Sequence, residues 1–375
     1  MYKKNRVLYE LKLENRNRIY NAIRKKESVT RQDLVYELKL SLPTITQNLI
    51  DLTDEGLIEE NGSIGNTGGR RARSYGICAE ARVAIGLDIT KNHITIITVN
   101  LKGETIHRKR IRHTFERNDE CFKKLGELVE EAVAYSHLKP DQIEGVGIVL
   151  PVLISEEGQK IFYGEILNIT GATCEEFCKY IPYPCMLFND ADAAGYAEAY
   201  INEDESDSFY ISLSNNIGGS IIINGEVYKG EGPRSGEVGH ITIIPDGGKC
   251  YCGRNGCFET YCNSTILSDY TDGNIEEFFN QLQAGNQTCM EMWEEYLKYL
   301  AIAVNNVRML FDCKVILGGY VGAYMDQYID RIREMAAERN PFENNAEYLH
   351  ACKVKKDALA LGGALPFIQE FIQNI

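Results

Sequence analysis

No stretch of this chain approaches the roughly 18 consecutive apolar residues that a membrane helix requires. The opening residues, MYKKNRVLYELKLENRNR, are charged and lack an apolar core of signal-peptide length. Both absences argue against a membrane partner and point to a cytoplasmic protein. The 12 cysteines would stay reduced there, so most read as small core residues rather than a disulfide framework. Positive charge is also short: 40 Lys/Arg stand against 54 Asp/Glu, a net charge of −14. The deficit is uneven. Residues 1–75 carry 14 basic and 10 acidic side chains, a net +4, which leaves −18 on the remainder. A small basic head on a large acidic body suits a DNA-contacting module joined to something that does not touch DNA. At 375 residues, 44% hydrophobic and 25% charged, the chain is an ordinary globular sequence too long for one core.

The densest chemistry lies at residues 237–259, EVGHITIIPDGGKCYCGRNGCFE. His240, Cys250, Cys252 and Cys257 supply one imidazole and three thiols within a short span, enough to close a tetrahedral zinc shell. The glycines Gly247, Gly248, Gly253 and Gly256 let the backbone turn tightly enough to bring the sulfurs together. With four ligands no position is left for an activated water, so the expected zinc is structural.

In the head, Ile19, Ala22 and Ile23 give a short helical pattern over residues 15–26. Ser28 or Thr30 can cap a second helix at 31–39, with Leu34, Val35 and Leu38 inward. Ser41 caps a third helix with Pro43 in its first turn and Ile45, Leu49 and Leu52 buried. Thr44, Thr46 and Gln47 lie on its other side, where such residues can reach base edges in a major groove. Residues 57–59 read as a strand and 65–75, GNTGGRRARSY, as a wing that offers Arg70 and Arg71 to a narrow minor groove. The order predicts a winged helix-turn-helix over 1–75 and a double-stranded DNA operator as partner.

Beyond residue 82 the pattern is strand, turn, strand, turn, strand, then a helix near 120–137 and an apolar strand at 143–149. A second meander follows at 209–229, with the hairpin signal Asn224-Gly225. Next come a helix whose apolar positions run from Trp293 to Phe311 and a buried strand at 315–317. Two such halves predict an internally duplicated α/β body with a cleft between its lobes.

The head, the duplicated body and the EVGH…CYCGRNGC segment together resemble the ROK family of repressors, open reading frames and kinases. The resemblance covers nearly the whole chain. It implies an α/β protein with an N-terminal winged helix-turn-helix followed by a duplicated, actin-like (ribonuclease-H-like) two-lobed ROK domain over 82–375. Lobe one would cover about 82–195 plus the C-terminal helix, and lobe two about 196–356. It also implies a sugar site at Asn189, Asp190, Glu237, His240 and Glu259, with His240 offering one ring nitrogen to zinc and the other to the sugar. In the family's kinases the residue matching Asp190 is the catalytic base, and ATP with Mg would be needed. Here the first phosphate loop, Asp-Ile-Gly-Gly-Thr in those kinases, reads Asp88-Ile89-Thr90-Lys91-Asn92. The second, Gly-Thr-Gly-Ile-Gly-Gly-Gly, reads Ser214-Asn215-Asn216-Ile217-Gly218-Gly219-Ser220, and the family's Pro-Gly is Pro151-Val152. Side chains where backbone N–H groups should cradle phosphate argue for a sensor over an enzyme. The resemblance thus implies a sugar-responsive regulator, a repressor of carbohydrate genes acting as a homodimer or higher oligomer. The alternatives are a DNA-binding sugar kinase and a regulator whose body binds a protein.

Overall fold

A computed structural model describes residues 2–64, 72–155, 157–202 and 206–375, with backbone alone for 2–10, 63, 64 and 72. Arg70 and Arg71 lie outside the described residues.

The head is built from local signals. Its leading helix runs over Tyr2–Arg24, well beyond the short segment expected from apolar spacing. Among the residues whose side chains are described, it buries Ile19, Tyr20, Ala22 and Ile23, which include the positions that apolar periodicity registered. Thr30 caps Arg31–Leu38 with a reciprocal box: Asp33 N–H donates to Thr30 Oγ1 (3.2 Å), and Thr30 N–H donates to Asp33 Oδ2 (2.9 Å). Lys39, left-handed at φ 54°, ends that helix. Two residues later Ser41 accepts from Thr44 N–H (3.3 Å) and starts Leu42–Asp54. Ile45, Leu49 and Leu52 pack with Leu34, Ile19 and Ile23 in one cluster. The hairpin Ile58–Ile64 with Ala72–Ile77 completes the head, and the short strand Val29–Thr30 pairs against Tyr75 and Ser74.

The body holds two five-stranded mixed sheets. The first runs in space Cys185–Asn189, Ile143–Leu150, Val83–Ile89, His93–Asn100, Thr105–Arg112. The second runs Glu226–Val227, Ile217–Ile223, Ser208–Leu213, Lys314–Gly318, Leu349–Ala351. Each begins as an antiparallel meander of three strands. A fourth strand then adds parallel to the first, and a fifth parallel to the fourth. Both sheets therefore carry the order third, second, first, fourth, fifth, and the duplication expected from the sequence is a duplication of topology.

Two helices form the seam. The closing helix Ala358–Gln373 lies across the first sheet, and Asp190–Asn202 lies between it and the second sheet. They approach without room for side chains: a Cβ on Gly362 would sit 1.7 Å from the carbonyl oxygen of Ala193. Glu198, buried in the seam, accepts from the N–H groups of Lys353 (2.6 Å) and Val354 (3.0 Å), so its charge is met by backbone dipoles. Helix Asp190–Asn202 runs unbroken through residue 195. The head sits on the seam. Its leading helix shares an apolar cluster with Leu365, Ile368 and Ile375, Asn17 Nδ2 donates to Gln373 O (2.6 Å), and Arg24 donates to the Tyr200 hydroxyl (2.9 Å).

Candidate metal centre and sugar cleft

The metal-ligand segment is a compact loop. Ile243 N–H donates to Gly256 O (2.8 Å), and Cys250 N–H donates to Arg254 O (2.8 Å). Gly256 has φ +76°, and a Cβ there would meet Ile244 O at 1.8 Å, so only glycine closes the loop. One ligand atom from each of His240, Cys250, Cys252 and Cys257 lies within 4.8 Å of the others. The Sγ atoms of Cys252 and Cys257 are 3.7 Å apart, and His240 Nδ1 is 3.9 Å from Cys250 Sγ. Tetrahedral zinc with Zn–S near 2.3 Å needs ligand separations of about 3.8 Å, so this donor set fits the ion. Among the described residues these four form the one His/Cys/Asp/Glu group placed to hold a metal ion.

His240 faces two ways. Its Nδ1 points to the thiols, while Nε2 is 3.3 Å from the Tyr251 hydroxyl and 3.9 Å from Glu237 Oε2. Burial lowers its pKa and favours the neutral ring. A metal on Nδ1 leaves Nε2 as the donor, aimed at Glu237 and the cleft.

Glu237, beside that nitrogen, and two further carboxyl groups are held above their ordinary range. Asp190 begins helix Asp190–Asn202, and burial pushes it up to about 6. Glu237 is raised to about 7 by burial, then by the charges of Asp190 and Asp192, although 40% of its side-chain surface still reaches the cleft. Glu259 is likewise raised to about 7 by burial, offset in part by the Ile217 N–H that donates to Oε2 at 2.5 Å. That bond makes Glu259, itself buried, a fastener of the second loop. Asn189 is also engaged: Nδ2 donates to Val152 O (2.9 Å) and Oδ1 accepts from Asp192 N–H (2.9 Å). It caps the helix and pins the Pro151-Val152 turn while keeping one N–H and one lone pair available. Asp192 and Tyr251 adjoin these groups and were not singled out in the sequence, and Asp88 of the first phosphate turn lies close enough to Asp190 to feel its charge. Asp192 is raised to about 6 by burial, and Asp88 to about 7 by burial and then Asp190. Tyr251 sits edge-on to His240, with ring centroids 5.4 Å apart. The only available signal for Asp192 was its place two residues after Asp190.

The two turns that correspond to phosphate loops carry side chains and carbonyls engaged in local hydrogen bonds. Thr90-Lys91-Asn92 is a hairpin tip: Thr90 Oγ1 accepts from His93 N–H (3.1 Å), and the carbonyls of Lys91 and Asn92 accept from Phe115 and His113. In the second turn Asn215 Oδ1 accepts from Ser264 Oγ (2.8 Å), and Ser214 Oγ accepts from Tyr320 N–H (3.4 Å). The glycines it keeps answer to packing. A Cβ on Gly218 would lie 2.7 Å from the Cβ of Ala191.

On the head, Thr44 is partly occupied by its cap, its Oγ1 lying 2.8 Å from Ser41 Oγ. Thr46 is half-buried on the same helix, and exposed Gln47 donates to Asp51 Oδ1 (2.8 Å). Among the described residues no helix is long and apolar enough to cross a membrane.

Comparison with known proteins places this architecture. The chain is 26% identical over 377 residues to the xylose repressor of Bacillus spizizenii, covering 97% of each. Among solved structures it resembles a ROK family transcriptional regulator, a homologue of the Escherichia coli MLC protein, with TM-score 0.74, 24% identity and 97% of both chains covered. It also resembles the ROK hexokinase of Thermus thermophilus, with TM-score 0.63, 24% identity, and 77% of this chain and 99% of that one covered. The ROK family model matches residues 84–370, and the chain belongs to the ROK family.

Proposed function

We propose that this protein is a sugar-responsive DNA-binding repressor whose ROK body senses the sugar and whose head is a winged helix-turn-helix. The observation that carries the reading is one contrast within the cleft. Glu237 is partly exposed, 3.9 Å from the Nε2 of His240 and within reach of the Asp190 charge, while both turns that match phosphate loops carry side chains in place of glycines, engaged in local hydrogen bonds. A sugar offers paired hydroxyls, which donate to carboxylates and accept from an imidazole N–H. Phosphoryl transfer depends on cradling and neutralising phosphates, and these turns offer no free cradle. The resemblance to a xylose repressor over nearly the full length supports the same choice.

Zinc held by His240, Cys250, Cys252 and Cys257 would neutralise the thiolates and fix the His240 tautomer. The imidazole then orients toward Glu237, Asp190 accepts a sugar hydroxyl, and Asn189 and Glu259 hold the two turns on either side. Thr44, Thr46 and Gln47 would enter the major groove, with Arg70 and Arg71 in the minor groove. Closure of the lobes would change the spacing of two heads in a homodimer, provided the sugar binds the two states with different affinity.

The test is direct. Zinc-loaded protein should bind duplex DNA enriched from a random pool, release it with a particular sugar, and form no ADP from Mg-ATP with that sugar. The retained Asp190 beside Asp88 is what favours a sugar kinase as second reading, and sugar-dependent ADP release would make that reading primary.

A further inference from the structure

The sugar residues open on one side into a chamber that the sugar site does not use. Its volume is about 320 Å³, and its wall includes Asn189 and Glu237 but not Asp190, His240 or Glu259. It therefore extends away from the metal centre. The rest of its wall comes from the turn around Leu153 and Ser155, the helix face of Asp192 and Tyr196, the segment from Glu226 to Glu237, and the closing helix as far as Gln373. A space of this size is at the lower bound of sites that take small organic ligands, about 300–1,000 Å³.

Its chemistry is specific. Phe188, Tyr196, Pro233 and Pro366 present flat apolar surface, and Ser155 and Gln369 present hydroxyl and amide groups. That mixture suits a pyranose ring, which has an apolar face and a polar rim. Four carboxylates, Asp192, Glu226, Glu237 and Glu370, share the wall with one cation, Lys229. The excess of negative charge opposes a phosphate or carboxylate substituent.

We propose that the effector is an unphosphorylated disaccharide or longer glycoside, with one ring at Asp190, Glu237 and His240 and the second ring in this chamber. The inference rests on the sugar-sensing reading. It also gives the ligand a route to the head. The chamber ends at Gln373, whose carbonyl accepts from Asn17 of the leading helix. A second ring that presses on the last turn of the closing helix bears on the contact that seats the DNA-binding head.

The experiment is calorimetric titration of the full-length, zinc-loaded protein with three matched sets: common pentoses and hexoses, their disaccharides, and their 6- or 5-phosphates. One disaccharide should bind at least about tenfold tighter than its component monosaccharide, and the phosphates should not bind. Tyr196→Ala removes the stacking surface and Gln369→Trp fills the chamber from a half-buried position on the closing helix. Each should bring the disaccharide-to-monosaccharide ratio down to about threefold or less, and the second guards against a folding defect in the first. A monosaccharide that binds as tightly as every disaccharide, or a sugar phosphate that binds best, overturns this inference and leaves the sensor reading standing. No binding by any of the three sets, to protein that melts cooperatively, overturns both.

Discussion

The carboxylate cluster of the cleft makes Asp190→Asn a stabilising change that destroys function. Burial lifts the Asp190 carboxyl from 3.8 to about 6, so the native protein holds a proton that the unfolded chain has released. Below pH 4 both states are protonated and the group costs nothing. As pH rises through 6 the native state must ionise a buried acid, and stability is lost. Two pKa units correspond to about 3 kcal/mol, and water reaching the open cleft returns part of that, leaving ~1–3 kcal/mol. The asparagine keeps the contact to the Ala191 N–H, which Oδ1 accepts at 2.9 Å, and never ionises. It also relieves Glu237 and Asp88, both of which Asp190 raises. The variant should therefore melt higher than the parent at pH 8, by about 2–4 °C for each kcal/mol. The gap should shrink to about half at pH 5, where only part of the cost has developed. Sugar affinity should fall about 10- to 100-fold, the worth of one charge-assisted hydrogen bond. Differential scanning calorimetry at the two pH values and titration with the effector read both quantities. A variant that melts lower than the parent at pH 8, or by the same margin at both pH values, would refute the view that the cleft holds carboxylates at a cost for the sake of a ligand.

Stripping the metal with a strong chelator, or Cys250→Ser, should lower the melting temperature and weaken sugar binding together, because His240 belongs to both sites; lost stability with unchanged affinity would separate them. Gly362→Ala places a Cβ 1.7 Å from the Ala193 carbonyl and should cost at least about 3 kcal/mol, visible as a lowered urea midpoint, whereas a neutral result would mean that the two seam helices are not in close contact. Replacing Arg70 and Arg71 by alanine should weaken DNA binding and flatten its salt dependence by up to about two charges; an unchanged slope removes the minor-groove role. Asn17→Ala, at the contact with Gln373, should leave sugar affinity intact and reduce the sugar's effect on DNA affinity, measured by fluorescence anisotropy.

Local chemistry was readable from the sequence and long-range placement was not. Thr30, Ser41 and Pro43 marked helix starts because a cap acts within three residues. The Cys250, Cys252 and Cys257 loop was legible because its ligands and its glycines are neighbours in the chain. The leading helix was underestimated because its apolar spacing registered only over residues 15–26. Asp192 and Tyr251 escaped notice because each gains its neighbours through folding: one by meeting the Ser220 side chain on the second sheet, the other by standing edge-on to His240. Glu259 shows the opposite case. The family resemblance marked it for sugar, and the fold gives it another duty, since it holds the Ile217 N–H of the turn beside it. The chamber behind Asn189 draws its walls from four separate segments, and no single stretch of sequence carries its signature.

The central claim is that occupancy of the cleft controls the grip of the head on DNA. The most direct measurement is the dissociation constant of the zinc-loaded full-length protein for its selected duplex, with and without the tightest-binding sugar, at fixed salt. An increase of at least about tenfold on sugar addition, lost in Asp190→Asn, is the expected result. A sugar that binds the cleft yet leaves the DNA dissociation constant unchanged would contradict the claim.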